Sequence, residues 1–550
     1  MRRMSEGIDL GIFGIMVVVF VIITLALGIY GYRNTKDNGD FLLGRSKTSP
    51  LIIALSYGST FLSASAVIGF GGQAAVHGMS LMWLCFLNLF VGLIVAFLVF
   101  GAPTRRKGRE LGAATYADLL GKVYRSKGIR AFTAILIIVM MPIYAAAVLK
   151  GGVNSLATIT GLNEYYDLIL ILLAIIVSVY VVYGGIIAVM YNDALQAAIM
   201  FIGMAVILIV TFVYFGGISA ANEQLVSLWD TKFSSLASVP GTKDGFNGWT
   251  SFSTFGSQEW LTVVTTFLMG VGIGALTQPQ LAVRFMSAKS DSDLNKSLLI
   301  GSIFMIVIVG SAYTIGPLSN VYFMDQHGMA SYSYITSIGL GTDFIIPQFI
   351  LEIFAGYTLG DFFVSLFLLS LVCAAISTIS ALLHTIGAAG GYDVYTLIRN
   401  RKGSLQGDSQ SINLNRACIV AVMVLMVVYV YLMPSDIIAK ATSVFMGMTA
   451  SALLPAYFHA VYSKNPSRKA AVISIAGGTL IYLFFALFVN AGTCIFLPVC
   501  EWITGSNVLW ADSWIASTDP LMFGLPISAI LMAISIIVFK KESVPATISS

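Results

Sequence analysis

The chain is built from apolar runs about twenty residues long, separated by short polar stretches, and this rhythm predicts helices that cross a lipid bilayer. Thirteen runs can be marked, near residues 9–32, 50–74, 80–103, 131–155, 166–184, 192–216, 260–283, 298–321, 360–388, 414–433, 437–461, 470–491 and 519–539. The strands of a membrane barrel would alternate polar and apolar residues instead. The first run, Ile8–Tyr32, has no small-residue cleavage site and reads as a span rather than a removable leader. Apolar stretches within 322–359 are too short to cross, which predicts helices lying over the outer face. The expected fold class is an all-α polytopic membrane protein.

Two runs carry residues that a plain spanning helix avoids. The second contains "ALSYGSTFLSASAVIGFGG", residues 54–72, rich in Ser, Thr and Gly at mid-depth; the seventh contains "FLMGVGIGALTQPQ", residues 267–280. Glycine weakens a helix by about 1 kcal/mol relative to alanine, and an interior proline by about 3 kcal/mol. Both helices are therefore expected to be interrupted. Each opens a group of five spans, so the two groups would be inverted in the membrane, and broken helices at matching positions of two halves point to a transporter binding site. Close packing through small residues is the competing reading.

Composition agrees: 57% of residues are hydrophobic and 10% charged, too few ionic groups to cover a soluble surface. Of the 30 Lys and Arg residues, 24 fall in alternate loops, beginning with Arg33, Lys36, Arg45 and Lys47 and ending with Lys540 and Lys541. That side is expected to be cytoplasmic. The N-terminus is then outside and the C-terminus inside a multi-pass protein of the cell (plasma) membrane. The basic residues mark topology, so no nucleic acid and no obligatory protein partner is expected beyond the bilayer. Lys150 and Lys440, near outer span ends, either draw in anions or snorkel to the interface. Five cysteines show no metal-ligand spacing, and Cys494 and Cys500 share an outer loop where a disulfide could persist.

The ninth run holds "CAAISTISALLH", residues 373–384. Ser377 and Thr378 point about 100° apart on the helix and can both reach one point beside it. The Ala374 carbonyl lies one turn earlier. Oxygens gathered in this way suit a hard cation; the plainer alternative is that the two hydroxyls bond back to their own helix. Ser380, on another face, is expected to stand apart from such a site. No P-loop, HExxH motif, repeated pore motif or paired acids appear, and the four histidines are scattered at 77, 327, 384 and 459. An ATP-driven pump, a membrane enzyme and a channel are therefore each less well supported than a secondary transporter with no cofactor.

The stretches "FLLGRSK" (41–47), 54–72, "YGGIIAVMYNDALQAAIM" (183–200), "QPQLAVRFMSAKS" (278–290) and "AAISTISALL" (374–383) followed by "YDVY" (392–395) resemble the sodium/solute symporters, over nearly the whole chain. That family includes proline, pantothenate, acetate, sialic acid and sodium/glucose transporters. The resemblance implies a five-plus-five inverted-repeat core like that of the leucine transporter and co-transport of Na+ with a small organic solute. Its repeats would be residues 50–219 and 260–461, flanked by an extra span and inner loop (1–49), an outer loop (220–259) and two C-terminal spans (462–550). It implies a sodium site made of the carbonyls of Ser59, Leu62 and Ala374 and the hydroxyls of Ser377 and Thr378. Candidate solute contacts are Thr60, Phe61, Ser63, Ser65, Tyr144, Gly270 and Gln278. Asp193 matches an acidic position that serves ion passage or anchors a loop, and His384 is either a relay or a hydrogen-bonded packing residue. The solute is expected to be a carboxylate, monocarboxylate or pantothenate-like, or an amino acid such as proline. Phe61, Val271 and Ala275 stand where proline transporters carry Asp, Trp and Tyr.

Overall fold

The computed structural model describes residues 8–44, 48–236, 238–355, 357–400, 412–434, 438–494 and 498–539. Among the described residues the protein is helical, with a single isolated bridge between Thr48 and Ala288. Among the described residues, eleven helical stretches are long and apolar enough to cross a membrane, where thirteen runs were expected. The difference lies in how the runs are joined. The fifth and sixth runs are two helices that follow one another without a loop within Tyr166–Tyr214, separated by a kink at Gly185, whose backbone is not helical (φ 53°, ψ −151°). A Cβ at Gly185 would stand 2.8 Å from the Phe41 carbonyl oxygen, so both the backbone angle and the space demand glycine there. The second run is split, its inner half too short to count as a span. Ser331–Ser337 and Thr342–Ile353, bent by 106°, make up the short apolar helices of 322–359.

Lipid offers no hydrophobic drive for helices to associate, so they meet through small residues that let backbones approach. The first helix, Leu10–Asn34, docks on Tyr166–Tyr214 in this way. A Cβ at Gly28 would come within 2.9 Å of the Tyr180 Cβ, and one at Gly31 within 2.6 Å of the Ala188 Cβ. Its other face is open, with Ile15 69% exposed. Gly360–Ala388, which bears the serines and threonine of the ninth run, is almost wholly buried and packs against Tyr166–Tyr214 and Lys127–Thr160.

The second span starts cleanly: Ser49 caps it by accepting from the Ile52 N–H, and Pro50 occupies the first turn. It runs as Pro50–Phe61 and breaks where Leu62 leaves helical geometry (φ −91°, ψ 81°), then resumes as Ser65–Gly69 and Phe70–His77. The seventh span also breaks, but not at its glycines. Gly270–Gly274 is helical; a Cβ at Gly272 would meet Leu87 at 2.9 Å and one at Gly274 would meet Met446 at 2.5 Å. The glycines serve close packing. The interruption falls at Gln278 (φ −69°, ψ 115°), because the Pro279 ring excludes the helical region for the residue before it.

Cys494 and Cys500 are free thiols, so the loop disulfide is not present. The Cys494 sulfur lies 3.7 Å from the Ala486 carbonyl oxygen and that of Cys500 lies 3.4 Å from the Thr504 hydroxyl. Lys150 donates to the carbonyls of Val430 (3.0 Å) and Met433, capping the end of the Ile412–Leu432 helix. Arg45, Lys47, Lys540 and Lys541 lie outside the described residues.

Candidate functional site

The break in the second span brings its backbone against the hydroxyls of Gly360–Ala388. Ser377 Oγ donates to the Ser59 carbonyl at 3.0 Å and lies 3.2 Å from the Ala374 carbonyl. Thr378 Oγ1 donates to the Thr60 carbonyl at 3.3 Å. Three of the expected sodium ligands, Ser59, Ala374 and Ser377, thus converge, and Thr378 sits beside them on the next carbonyl. Leu62 is the residue at the break itself. Ser377 and Thr378 reach across to another helix, and only Ser377 also bonds within its own.

Beneath this group lies a fully buried ion pair. Arg284 Nη2 is 3.0 Å from Asp193 Oδ2, and both side chains are 0% exposed. Asp193 Oδ2 also accepts from Ser56 (2.7 Å) and Thr60 (3.3 Å), and its Oδ1 accepts from Ser380 (3.3 Å). Arg284 donates further to Gln280 O (2.7 Å), Thr60 Oγ1 (3.0 Å) and Ser56 Oγ (3.3 Å). Such pairing satisfies the charge that burial would otherwise make prohibitive. The pair joins the sixth span, the inner halves of both broken spans and the hydroxyl-bearing helix. Asp193 is therefore paired with Arg284 in the protein interior. Ser380 belongs to this network rather than standing apart, because its hydroxyl swings back to the Ser377 carbonyl (2.9 Å) and Asp193 together.

The solute candidates do not all share one cluster. Ser63, Ser65 and Tyr144 come together: Tyr144 OH donates to Ser63 Oγ (3.1 Å), and Thr442 Oγ1 donates to Ser65 Oγ (2.9 Å), with the Phe445 ring stacked on Tyr144 at 5.4 Å. Gln278 sits at the second break, donating to the Gly274 carbonyl (2.9 Å) and Thr449 Oγ1 (3.0 Å). Thr60 is taken up by the ion pair, and Gly270 faces Ser443 and Asp519 instead of this cluster. Phe61 packs on Gly92, whose Cβ would lie 2.7 Å from the Phe61 ring and 3.5 Å from the Ala275 Cβ. A large residue at 61 is accommodated by small ones at 92 and 275. His384 lies apart, Nε2 2.8 Å from the Phe41 carbonyl oxygen.

Sequence reasoning missed Arg284, Ser56, Thr442, Phe445 and Thr449. Thr442 and Thr449 are seven residues apart in "ATSVFMGMTASALL", two helical turns on one face, and that spacing was a readable signal. Nothing local marks Arg284 as buried, since its short segment also reads as a basic inner loop.

Two interrupted helices wrapped around a buried cluster of oxygens are the architecture of a solute carrier. The sodium:solute symporter family matches residues 41–478, and the chain belongs to that family. A sodium/proline symporter of Staphylococcus aureus (strain bovine RF122 / ET3-1) is 27% identical over 481 residues, covering 86% of each chain. The osmoregulated proline transporter OpuE of Bacillus subtilis (strain 168) is 26% identical over 517 residues, 92% of this chain and 96% of its own. A Na+-coupled sialic acid symporter solved in a substrate-bound, outward-open state superposes with a TM-score of 0.72 at 17% identity, covering 98% of this chain and all of that one. The fold is thus that of a sodium-coupled symporter.

Proposed function

We propose that the protein imports a small carboxylate-bearing solute, a monocarboxylate, pantothenate-like acid or amino acid such as proline, driven by sodium flowing inward. The observation that carries this reading is the break at Leu62. It sets the start of the outer half-helix, the positive end of its backbone dipole, against the Ser63, Ser65, Tyr144 and Thr442 hydroxyls, an arrangement suited to an anionic group. The only acid in the adjoining cluster, Asp193, is already matched by Arg284. Sodium would sit one turn away among the Ser59, Leu62 and Ala374 carbonyls and the Ser377 and Thr378 hydroxyls. The repeats would run over 50–219 and 260–461. The names of the curated relatives favour proline; Phe61 and Ala275, which exchange bulk at one contact, favour a differently shaped solute.

Purified protein in liposomes should take up labelled proline, lactate or pantothenate in a saturable way only when an inward sodium gradient is imposed. Uptake of a neutral sugar and of none of these acids would overturn the carboxylate reading. Replacing Thr442 with valine should raise the half-saturating solute concentration roughly two- to tenfold, the size of one net hydrogen bond.

The orientation proposed from the Lys/Arg distribution has the N-terminus outside, the C-terminus cytoplasmic and the protein in the cell membrane. On a cysteine-free background, Lys243→Cys should react with an impermeant maleimide added to intact cells, and Lys464→Cys only after permeabilisation. The reverse pattern would invert the topology.

A further inference from the structure

Above the central cluster a cavity of about 490 Å³ opens between the outer loop and the Ile438–Tyr462 helix. Its lining is mixed, but two cations face it, Lys243 from the outer loop and Lys440 from the helix start. Lys440 makes no hydrogen bond or ion pair among the described residues. Lys243 Nζ donates to the Thr262 hydroxyl (2.8 Å), a neutral partner. Its ammonium is pushed below the ordinary lysine range by partial enclosure; Glu259 opposes the shift and the like charge of Lys440 adds to it. Two buried carboxylates lie close by, held by other groups, and neither forms an ion pair with Lys243 or Lys440 among the described residues. Glu259 is buried and engaged by His77 Nδ1 (2.5 Å) and the Lys243 backbone N–H (2.9 Å). Asp519 is 1% exposed, and its Oδ1 takes the Leu521 N–H (2.9 Å).

The cavity lies beside the solute cluster. Ser443 lines it and is the chain neighbour of Thr442, and Phe267 lines it while meeting Phe70 of the broken span edge-on at 5.8 Å. Two ammonium groups facing one concave site favour an anion there and raise its rate of capture.

We propose that this vestibule is an outer capture site for organic carboxylates, in which Lys243 and Lys440 hold the anionic group before it passes the Phe70–Phe267 pair. The proposal rests on the carboxylate reading of the central site, and the test separates the two. Acetate and its neutral isostere acetamide are titrated onto purified full-length protein in sodium-free potassium methanesulfonate, with binding read by saturation-transfer NMR. Acetate should bind and acetamide should not. Lys440→Gln and Lys243→Gln should each raise the acetate dissociation constant roughly two- to fivefold, the size solvent-accessible charge pairs give. Lys440→Arg should retain binding, and Ser302→Ala, on the remote Asp291–His327 helix, should leave it unchanged. A central carboxylate site would add acetate binding that appears only with sodium and survives both lysine changes. Its absence would sink the central reading while leaving the vestibule result standing. Acetate binding that is unaffected by both Gln variants, shared by acetamide, or displaced by equimolar chloride would overturn the vestibule proposal.

Discussion

Arg284→Met should destabilise the protein by about 3–5 kcal/mol, because it strands the Asp193 carboxylate in the protein interior without its counter-charge. Six hydrogen bonds at Asp193 and Arg284 tie Ser56, Thr60, Ser380 and Gln280 to the pair, and all would be weakened together. Asp193→Leu should cost a similar amount. The double change, with both charges gone and similar volume kept, should recover much of the loss, since a buried pair replaced by apolar groups is often neutral. Thermal unfolding in detergent measures stability, and sodium-driven uptake in liposomes measures function. The double variant should regain stability without regaining uptake, because Thr60 and Ser56 would lose the partners that position the inner half of the broken span. Wild-type melting in both single variants would show that the pair contributes nothing to holding these helices together.

Ser377→Ala and Thr378→Ala should each raise the sodium concentration for half-maximal uptake roughly tenfold or more, taking the lost contact to a charged group as about 1.5–3 kcal/mol. Little volume is removed, and both side chains are fully buried among small residues, so the fold should survive. Saturating sodium should restore much of the uptake. By linkage, whatever factor sodium contributes to solute affinity, solute contributes to sodium affinity, and both should shrink together in the variants. Ser380→Ala is not a neutral comparison, since its hydroxyl reaches Asp193. Ser302→Ala is suitable, because among the described residues Ser302 bonds only to the Leu298 carbonyl of its own helix. Unchanged sodium dependence in folded Ser377→Ala and Thr378→Ala proteins would reduce these hydroxyls to helix-to-helix packing contacts.

The same residues show how far the sequence reached. Length and hydropathy determined the spanning helices, because lipid enforces about twenty apolar residues for each crossing whatever the neighbours are. Glycine, proline and hydroxyl content determined that the second and seventh spans break, and the row at 374–380 marked the helix that faces them. Where each break falls was a tertiary matter. Gly272 and Gly274 look like breakers in isolation, yet they are contact points for Leu87 and Met446, so only Pro279 interrupts the seventh span. The fifth and sixth spans read as two and are two helices; what a linear pattern cannot show is that the kink between them is made at Gly185, packed over Phe41. Arg284 carries the strongest lesson. Its local surroundings read as a basic inner loop, and only the meeting of residues 91 positions apart turns it into the counter-charge of Asp193. A charge in a membrane protein is placed by the partner that compensates its burial, and that partner is chosen by the fold rather than by the neighbouring residues.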